Sequence, residues 1–265
     1  NEYANFPMLS ARDPWYVVRP RNLYRRWWHR ACVLLLFSWC LAMAVLADEK
    51  AKTIADVAKE WDDMADSWTS GEMGSCVLEF NVLVEELVRS KVSELTGKDI
   101  LEFGAGHGVL GLALAASGAN VTLVDVAPKM VAMAKEKIAA KELEKSVKAY
   151  CCDILVDCPM SPSSLDLIIS GSVLTFTPDL PQTLEKLSSL TRPGGLHLHL
   201  VFRAAEDAAP RPRGRSTDLG YEDGMSPAQL DDELAAAGLT VLERGNLSPP
   251  SMDGSMTWIW ALSKK

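Results

Sequence analysis

Short apolar runs alternate with amphipathic stretches through most of this chain, and their order predicts its elements. Apolar runs end at Phe103, Asp125, Cys152, Ser170 and Phe202. Between them, residues 109–116, 129–141 and 179–190 repeat their apolar positions at helical spacing, with Pro128 and Asp179 at helix starts. Strand alternating with helix predicts a parallel, doubly wound α/β sheet whose ligand lies at the strands' carboxyl ends. Upstream, residues 53–68 and about 76–95 read as helices separated by a break at 70–74, with Gly97 closing the second. Downstream, Ser226-Pro-Ala-Gln starts a helix that runs to Ala237. Two apolar runs follow, at 239–244 and 256–262, and the Pro/Gly/Ser turn between them predicts an antiparallel hairpin at the sheet edge. The expectation is a mostly parallel, seven-stranded, Rossmann-like sheet ending in that hairpin.

The first strand-to-helix loop holds the candidate chemistry. Gly104, Gly106 and Gly108 allow a sharp turn and leave room for a ligand to approach the backbone, while the free amides of the new helix face the same spot. Asp125 ends the second strand about twenty residues further on, where a carboxylate reaches the hydroxyls of a bound ribose. Gly106-x-Gly108-x-x-Gly111 satisfies the dinucleotide pattern, but the frame from Gly104 has Val109 in place of its third glycine. Glu102 then bears on the choice of ligand. Its carboxylate would repel a pyrophosphate by several kcal/mol at a low effective dielectric and attract a cationic ligand such as a sulfonium.

Glu102-x-Gly104-x-Gly106-x-Gly108 with Asp125 resembles the signature of class I S-adenosylmethionine-dependent methyltransferases. The segment from Trp61 to Trp68 is similar to the opening of the ubiquinone/menaquinone-biosynthesis branch, and Asp125 to Met130 to its post-strand segment. Asp153, Ser172 to Asp179 and Arg192-Pro-Gly-Gly195 continue the resemblance in order, through most of residues 61–265. It implies S-adenosylmethionine as cofactor, held by Glu102, Gly104, Ala105, Gly106, Gly108, Asp125, Val126, Met130, Asp153, Ile154 and Ser170. It also implies in-line methyl transfer to a small-molecule acceptor and an antiparallel seventh strand. No catalytic base is identified. The rival readings are an NAD(P)-dependent oxidoreductase and a methyltransferase-like binding module without turnover.

Composition adds limits. With 265 residues, 48% of them hydrophobic, the chain is long enough for one sizeable core. Net charge is −8, yet residues 1–30 carry six arginines against Glu2 and Asp13, so the remainder is at −12. An acidic body argues against a nucleic-acid partner. Residues 1–30 read as a basic arm, and 31–47, seventeen uncharged residues followed by Asp48 and Glu49, as a hydrophobic helix. That helix is expected to be a signal peptide or transmembrane anchor, implying a membrane or a secretory or organellar route, with a cytoplasmic location as the alternative. The remaining expected divisions are a linker helix at 48–60 and the methyltransferase domain at 61–265.

Other polar groups carry weaker signals. The cysteines at 32, 40, 76, 151, 152 and 158 show neither metal-ligand spacing nor a disulfide framework, and read as packed free thiols; no metal site is expected. His107 reads as a loop residue facing water. His197 and His199 share one face of the fifth strand, a pairing that invites a metal or base reading but lacks a third ligand. Arg203, Arg211, Arg213 and Arg215 populate the loop after that strand and suggest either an anionic substrate or a solvated loop. Trp258 and Trp260 alternate on the last strand and read as core or interface rather than cofactor contacts. Ser170-Gly-Ser-Val lacks the Asn/Asp-Pro-Pro-aromatic segment that DNA-base amine methyltransferases carry at this place, so a small-molecule acceptor is preferred.

Overall fold

The structure, a computed structural model, describes residues 52–204, 224–252 and 257–265. The basic arm, the apolar run at 31–47 and Arg211, Arg213 and Arg215 lie outside them. Among the described residues no helix is long and apolar enough to cross a membrane.

Seven strands form one sheet in the order β3-β2-β1-β4-β5-β7-β6. Strands β1 (Asp99–Phe103), β2 (Asn120–Asp125), β3 (Val147–Cys151), β4 (Leu165–Gly171) and β5 (Thr191–Phe202) pair in parallel. β7 (Trp258–Lys264) lies antiparallel between β5 and the edge strand β6 (Thr240–Leu247). This is the expected doubly wound sheet, with the terminal hairpin placed so that its last strand enters the sheet.

Alternation along the strands builds two cores. Ile100, Val121, Leu123, Ile169 and Leu198 pack beneath α2 (Gly71–Lys91), α3 (Val109–Ala115) and α4 (Pro128–Ala140). Leu101, Phe103, Val124, Ile168 and Val201 pack on the other face beneath α5 (Leu180–Leu190) and α6 (Pro227–Ala236). Each fully buried leucine or isoleucine contributes about 1.5–3 kcal/mol. The caps follow the sequence. Asp179 accepts from the Gln182 amide, and Ser226 and Gln229 form a capping box. α1 (Ile54–Trp68) begins at the Thr53/Asp56 box and closes over the carboxyl end of the sheet through Ala65, Trp61 and Trp68, which pack on Ala127 and Met130.

Several expected boundaries move. The division at residue 61 falls inside α1, whose Val57 is already buried, so the packed unit includes the first turns of that helix. α2 starts at Gly71, five residues before the expected 76, and stops at Lys91 because Val92 turns extended. Leu95 then drops into the core, and Gly97, at φ +70°, turns the connection rather than ending the helix. β5 begins at Thr191, ahead of the apolar run that ends at Phe202, because Gly194 and Gly195 hydrogen-bond Lys265 and draw the turn into the sheet. The free-thiol expectation fails for two cysteines: Cys152 and Cys158 form a disulfide with Cα atoms 5.4 Å apart. Spacing alone did not reveal it, since only the turn after β3 brings the two together.

Candidate functional site

The exit of β1 stays tied to its parallel neighbour β2. The amides of Gly104 and Ala105 both donate to the Val124 carbonyl, at 2.8 and 3.0 Å. Gly104 and Gly106 are left-handed, at φ +70° and +52°, so the chain leaves the strand in a tight turn. The Gly106 amide then donates to Asp125 Oδ2 at 2.7 Å, and the Ala127 amide to Oδ1 at 2.9 Å. Two backbone donors thus fix the carboxylate at the end of β2. Burial raises the pKa of Asp125, and these two bonds partly offset the rise.

One cavity opens above this edge. Gly104, Gly106, Asp125, Val126, Met130, Asp153 and Ile154 line it, seven of the eleven predicted cofactor residues. Ile54, Val57, Trp61, Trp68, Phe103, Phe176 and Phe202 make its apolar walls, and Ser172, Thr177, Asp179 and Thr183 add polar groups. Trp61 stands nearly perpendicular to both Trp68 and Phe176, with centroids 5.0 and 5.3 Å away. Trp61 and Trp68 share a face of α1 because they are seven residues apart, two helical turns, which was the available signal for this wall. Asp125, Asp153 and Asp179 are the ionisable lining groups, and no Lys, Arg or His is among the described lining residues.

Four predicted residues are not in the lining: Glu102, Ala105, Gly108 and Ser170. Glu102 is 5% exposed and points beneath the glycine loop, where Oε2 accepts from the Gly111 amide at 2.8 Å. It therefore caps the first turn of α3, whose N-cap, Gly108, has no side chain to do so. Burial, partly offset by that bond, pushes its pKa up to about 8. The carboxyl is therefore largely protonated at neutrality, and the expectation that its charge selects the ligand is corrected. Ala105 is buried in the loop, and Gly108 is the left-handed N-cap packed near Leu123.

Ser170 is fully buried in a chain of polar groups on the far side of β4. Thr191 Oγ1 donates to the Leu187 carbonyl at 3.0 Å, so it accepts from His197 Nε2 at 2.8 Å. His197 Nδ1 then accepts from His199 Nε2 at 3.1 Å, and His199 Nδ1 from the Ser170 hydroxyl at 2.7 Å. Every ring nitrogen is used, both imidazoles are neutral, and burial drives their pKa values down to about 2 and about 3. The pair is a satisfied core network, with no open position for a metal or a base.

His107 does not face water. It is partly buried against Lys137 Nζ, and desolvation with that neighbouring charge lowers its pKa to about 4. Arg203 reaches the Asn246 side chain at 3.2 Å. Trp258 is core, and its Nε1 donates to Ser172 Oγ at 2.5 Å. Cys151 is exposed while Cys152 is buried, as strand alternation requires.

Residues 100–195 match a methyltransferase domain family. Over 158 residues the chain is 31% identical to a ubiquinone biosynthesis O-methyltransferase of Xanthomonas euvesicatoria pv. vesicatoria, covering 55% of this chain and 64% of that protein. A Coxiella burnetii protein of the same name is 28% identical over 207 residues, covering 74% of this chain and 83% of its own length. The chain thus spans about two thirds of the length of the first of these relatives. Among solved structures, magnesium protoporphyrin IX methyltransferase of Synechocystis, with bound S-adenosylmethionine, superposes with a TM-score of 0.61 at 17% identity. That match covers 83% of this chain and 100% of the other.

Proposed function

We propose, from the premise that this chain belongs to the class I methyltransferase fold family, that it transfers a methyl group from S-adenosylmethionine to a neutral, largely apolar small molecule. One observation carries the reading: a ribose-binding type of carboxylate, Asp125, is pinned by the Gly106 amide at the mouth of an apolar cavity. A Cβ at Gly106 would meet only Met130 Sδ, at 3.9 Å, so the space a ligand needs beside this backbone is open. The residues therefore fit the cofactor.

The bound cofactor supplies an electrophilic methyl on a sulfonium. Asp125 would accept from the ribose hydroxyls through lone pairs left free by its two amide donors. Val126, Met130 and Ile154 would flank the adenine, and Asp153 would receive its amino group. Trp61, Trp68 and Phe176 would exclude water and confine the acceptor beside the methyl, and such confinement is where the rate advantage of a displacement arises. The described cavity offers no histidine or lysine as a base. Any proton the acceptor sheds then goes to a cavity carboxylate or to solvent, and a neutral amine, a phenol or an electron-rich carbon is the acceptor type that fits.

Three carboxylates without a described cation also disfavour a ligand carrying a pyrophosphate, which weighs against the NAD(P) reading now that Glu102 no longer does. Calorimetry of the full chain with S-adenosylmethionine against NAD separates the two. A methyl-release assay over quinols, phenols, small amines and carboxylates then tests the acceptor class. Turnover confined to carboxylates would refute the class, and cofactor binding without turnover on any acceptor would favour a binding module.

We also propose that residues 31–47 insert into a membrane as an anchor or cleavable signal. The support is the uncharged run itself, with arginines at 25, 26 and 30 before it and acids after it. Carbonate extraction of the full chain, compared with a chain starting at Asp48, tests the anchor. Equal solubility of the two would rule it out, and an intact leader on the soluble full chain would exclude cleavage as well.

A further inference from the structure

The turn after β3 carries a feature that the transfer reaction does not use. Cys152 and Cys158 are joined across it, and between them lie Asp153, Ile154 and Leu155, all of which line the cavity. The turn is otherwise held by short-range bonds. The Leu155 amide donates to Asp153 Oδ1 at 2.9 Å, the Asp153 amide to Asp157 Oδ1 at 2.9 Å, and the Val156 and Asp157 amides to the Asp153 carbonyl at 3.1 Å each. At its base the Cys152 amide donates to the Asp125 carbonyl at 3.1 Å, tying the turn to the strand end that carries the ribose carboxylate. The disulfide is the covalent clamp that returns the far end of the turn to this base.

The two sulfurs differ in access. Cys152 is buried at 8% exposure, whereas Cys158 is partly exposed between the exposed residues Asp157 and Pro159. A thiolate from solvent therefore meets Cys158 first. Val156, at the crest of the turn, is 80% exposed, so no described element covers the loop from outside.

We propose that Cys152 and Cys158 form a reversible thiol–disulfide modification site, with a small dithiol as its exchange partner, and that its oxidised form sets the affinity for the adenosyl cofactor. The proposal rests on the cofactor reading above. A dithiol thiolate attacks Cys158 Sγ, breaking the Cys152–Cys158 bond and releasing Cys152 as a thiolate that takes up a proton. The second thiol of the reagent then attacks its own mixed-disulfide sulfur and releases the Cys158 thiolate, which is also protonated. Two electrons and two protons pass to the protein, and the reagent leaves as a cyclic disulfide. With the clamp open, Asp153 and Ile154 must be ordered by the ligand itself, and that ordering subtracts from affinity.

The test titrates S-adenosylhomocysteine into the full chain by calorimetry, as purified, after dithiothreitol, and after reoxidation by air, with the thiol state read by mass spectrometry of alkylated protein. Binding about tenfold weaker after reduction and restored on reoxidation is expected, since a loop rigidified in its bound form binds more tightly. Cys158→Ser should show the weakened affinity and no response to dithiothreitol, while thermal melting confirms that it is folded. Cys151→Ser, which removes the neighbouring exposed thiol, should respond as the parent does. Equal affinity in both thiol states, or no disulfide after oxidation, overturns the proposal while leaving the cofactor reading intact. Failure to bind S-adenosylhomocysteine in either state overturns the cofactor reading, and the proposal falls with it.

Discussion

Replacing Gly106 by valine separates a role in the ligand site from a role in the fold. Gly106 sits at φ +52°, where an L side chain costs about 1–2 kcal/mol and a β-branched one toward the upper end. A Cβ there collides with nothing in the protein, its one near neighbour being Met130 Sδ at 3.9 Å. Gly104 is the contrast: a Cβ there would come within 2.1 Å of Val173 Cγ2, against the wall of the same cavity. Set beside a typical stability of about 5–15 kcal/mol, the strain at 106 leaves the domain folded. It lowers the melting temperature by roughly 2–8 °C for a domain of this size. The branched side chain, however, enters the cavity beside Asp125. Affinity for S-adenosylhomocysteine should fall by at least about 100-fold, or roughly 2.7 kcal/mol. Calorimetry with the full chain, paired with thermal melting, reads both quantities. Affinity within twofold of the parent would show that no ligand approaches this backbone, and a variant that does not fold would show the glycine to be structural.

Other perturbations follow from the same geometry. Asp125→Ala removes the ribose acceptor and should weaken S-adenosylmethionine and S-adenosylhomocysteine alike by about 1.5–3 kcal/mol; an effect under twofold by calorimetry would sink the assignment. Glu102, with a folded pKa raised to about 8 from 4.5, holds its proton more tightly in the folded state. Its contribution is therefore complete below about pH 4.5 and declines as pH rises toward 8, at up to about 1.4 kcal/mol per pH unit. Glu102→Gln keeps the carbonyl that accepts from Gly111 and removes this decline, so parallel urea-unfolding profiles for parent and variant between pH 5 and 8 would refute the burial argument. His197 and His199 act with the opposite sign: their folded values lie far below 6.5, so the stability they confer is full above that pH and is lost as pH falls toward 3. His199→Asn should flatten the acid limb measured by the same unfolding series, and an unchanged limb would place the acid sensitivity elsewhere.

The sequence made the strand ends legible and left side-chain direction obscure, and the physics of each explains why. A strand end is marked by where an apolar run stops and glycine or an acid begins, so Phe103, Asp125 and the β3 exit were found, and the cavity with them. Which way the terminal side chain points depends on pleat parity and on what packs above it. Glu102 falls on the same face as Ile100, beneath α3, and so caps a helix; Asp125 is turned by two backbone amides toward the cavity. Ser170 likewise falls on the face of Ile168 and joins the histidines, one residue from Gly171, which does line the cavity.

The aromatic wall and the disulfide were obscure for a different reason, because both depend on contacts made only after the chain has folded. Trp61 and Trp68 show their shared face through helical spacing, but their meeting with Phe176 requires α1 to lie across the end of the sheet. That docking is specified by a few polar pairs. The Lys129 amide donates to Asp62 at 2.5 Å, and Lys129 Nζ meets Asp66 at 2.6 Å. The ammonium pair is exposed and adds little energy. The Asp62 contact is of another kind, because it caps the first turn of α4, the helix that follows Asp125, and so joins the position of α1 to the strand end that holds Asp125. The element that closes the cavity and the element that floors it are thereby held in one register, which the proposed in-line displacement would demand of its walls.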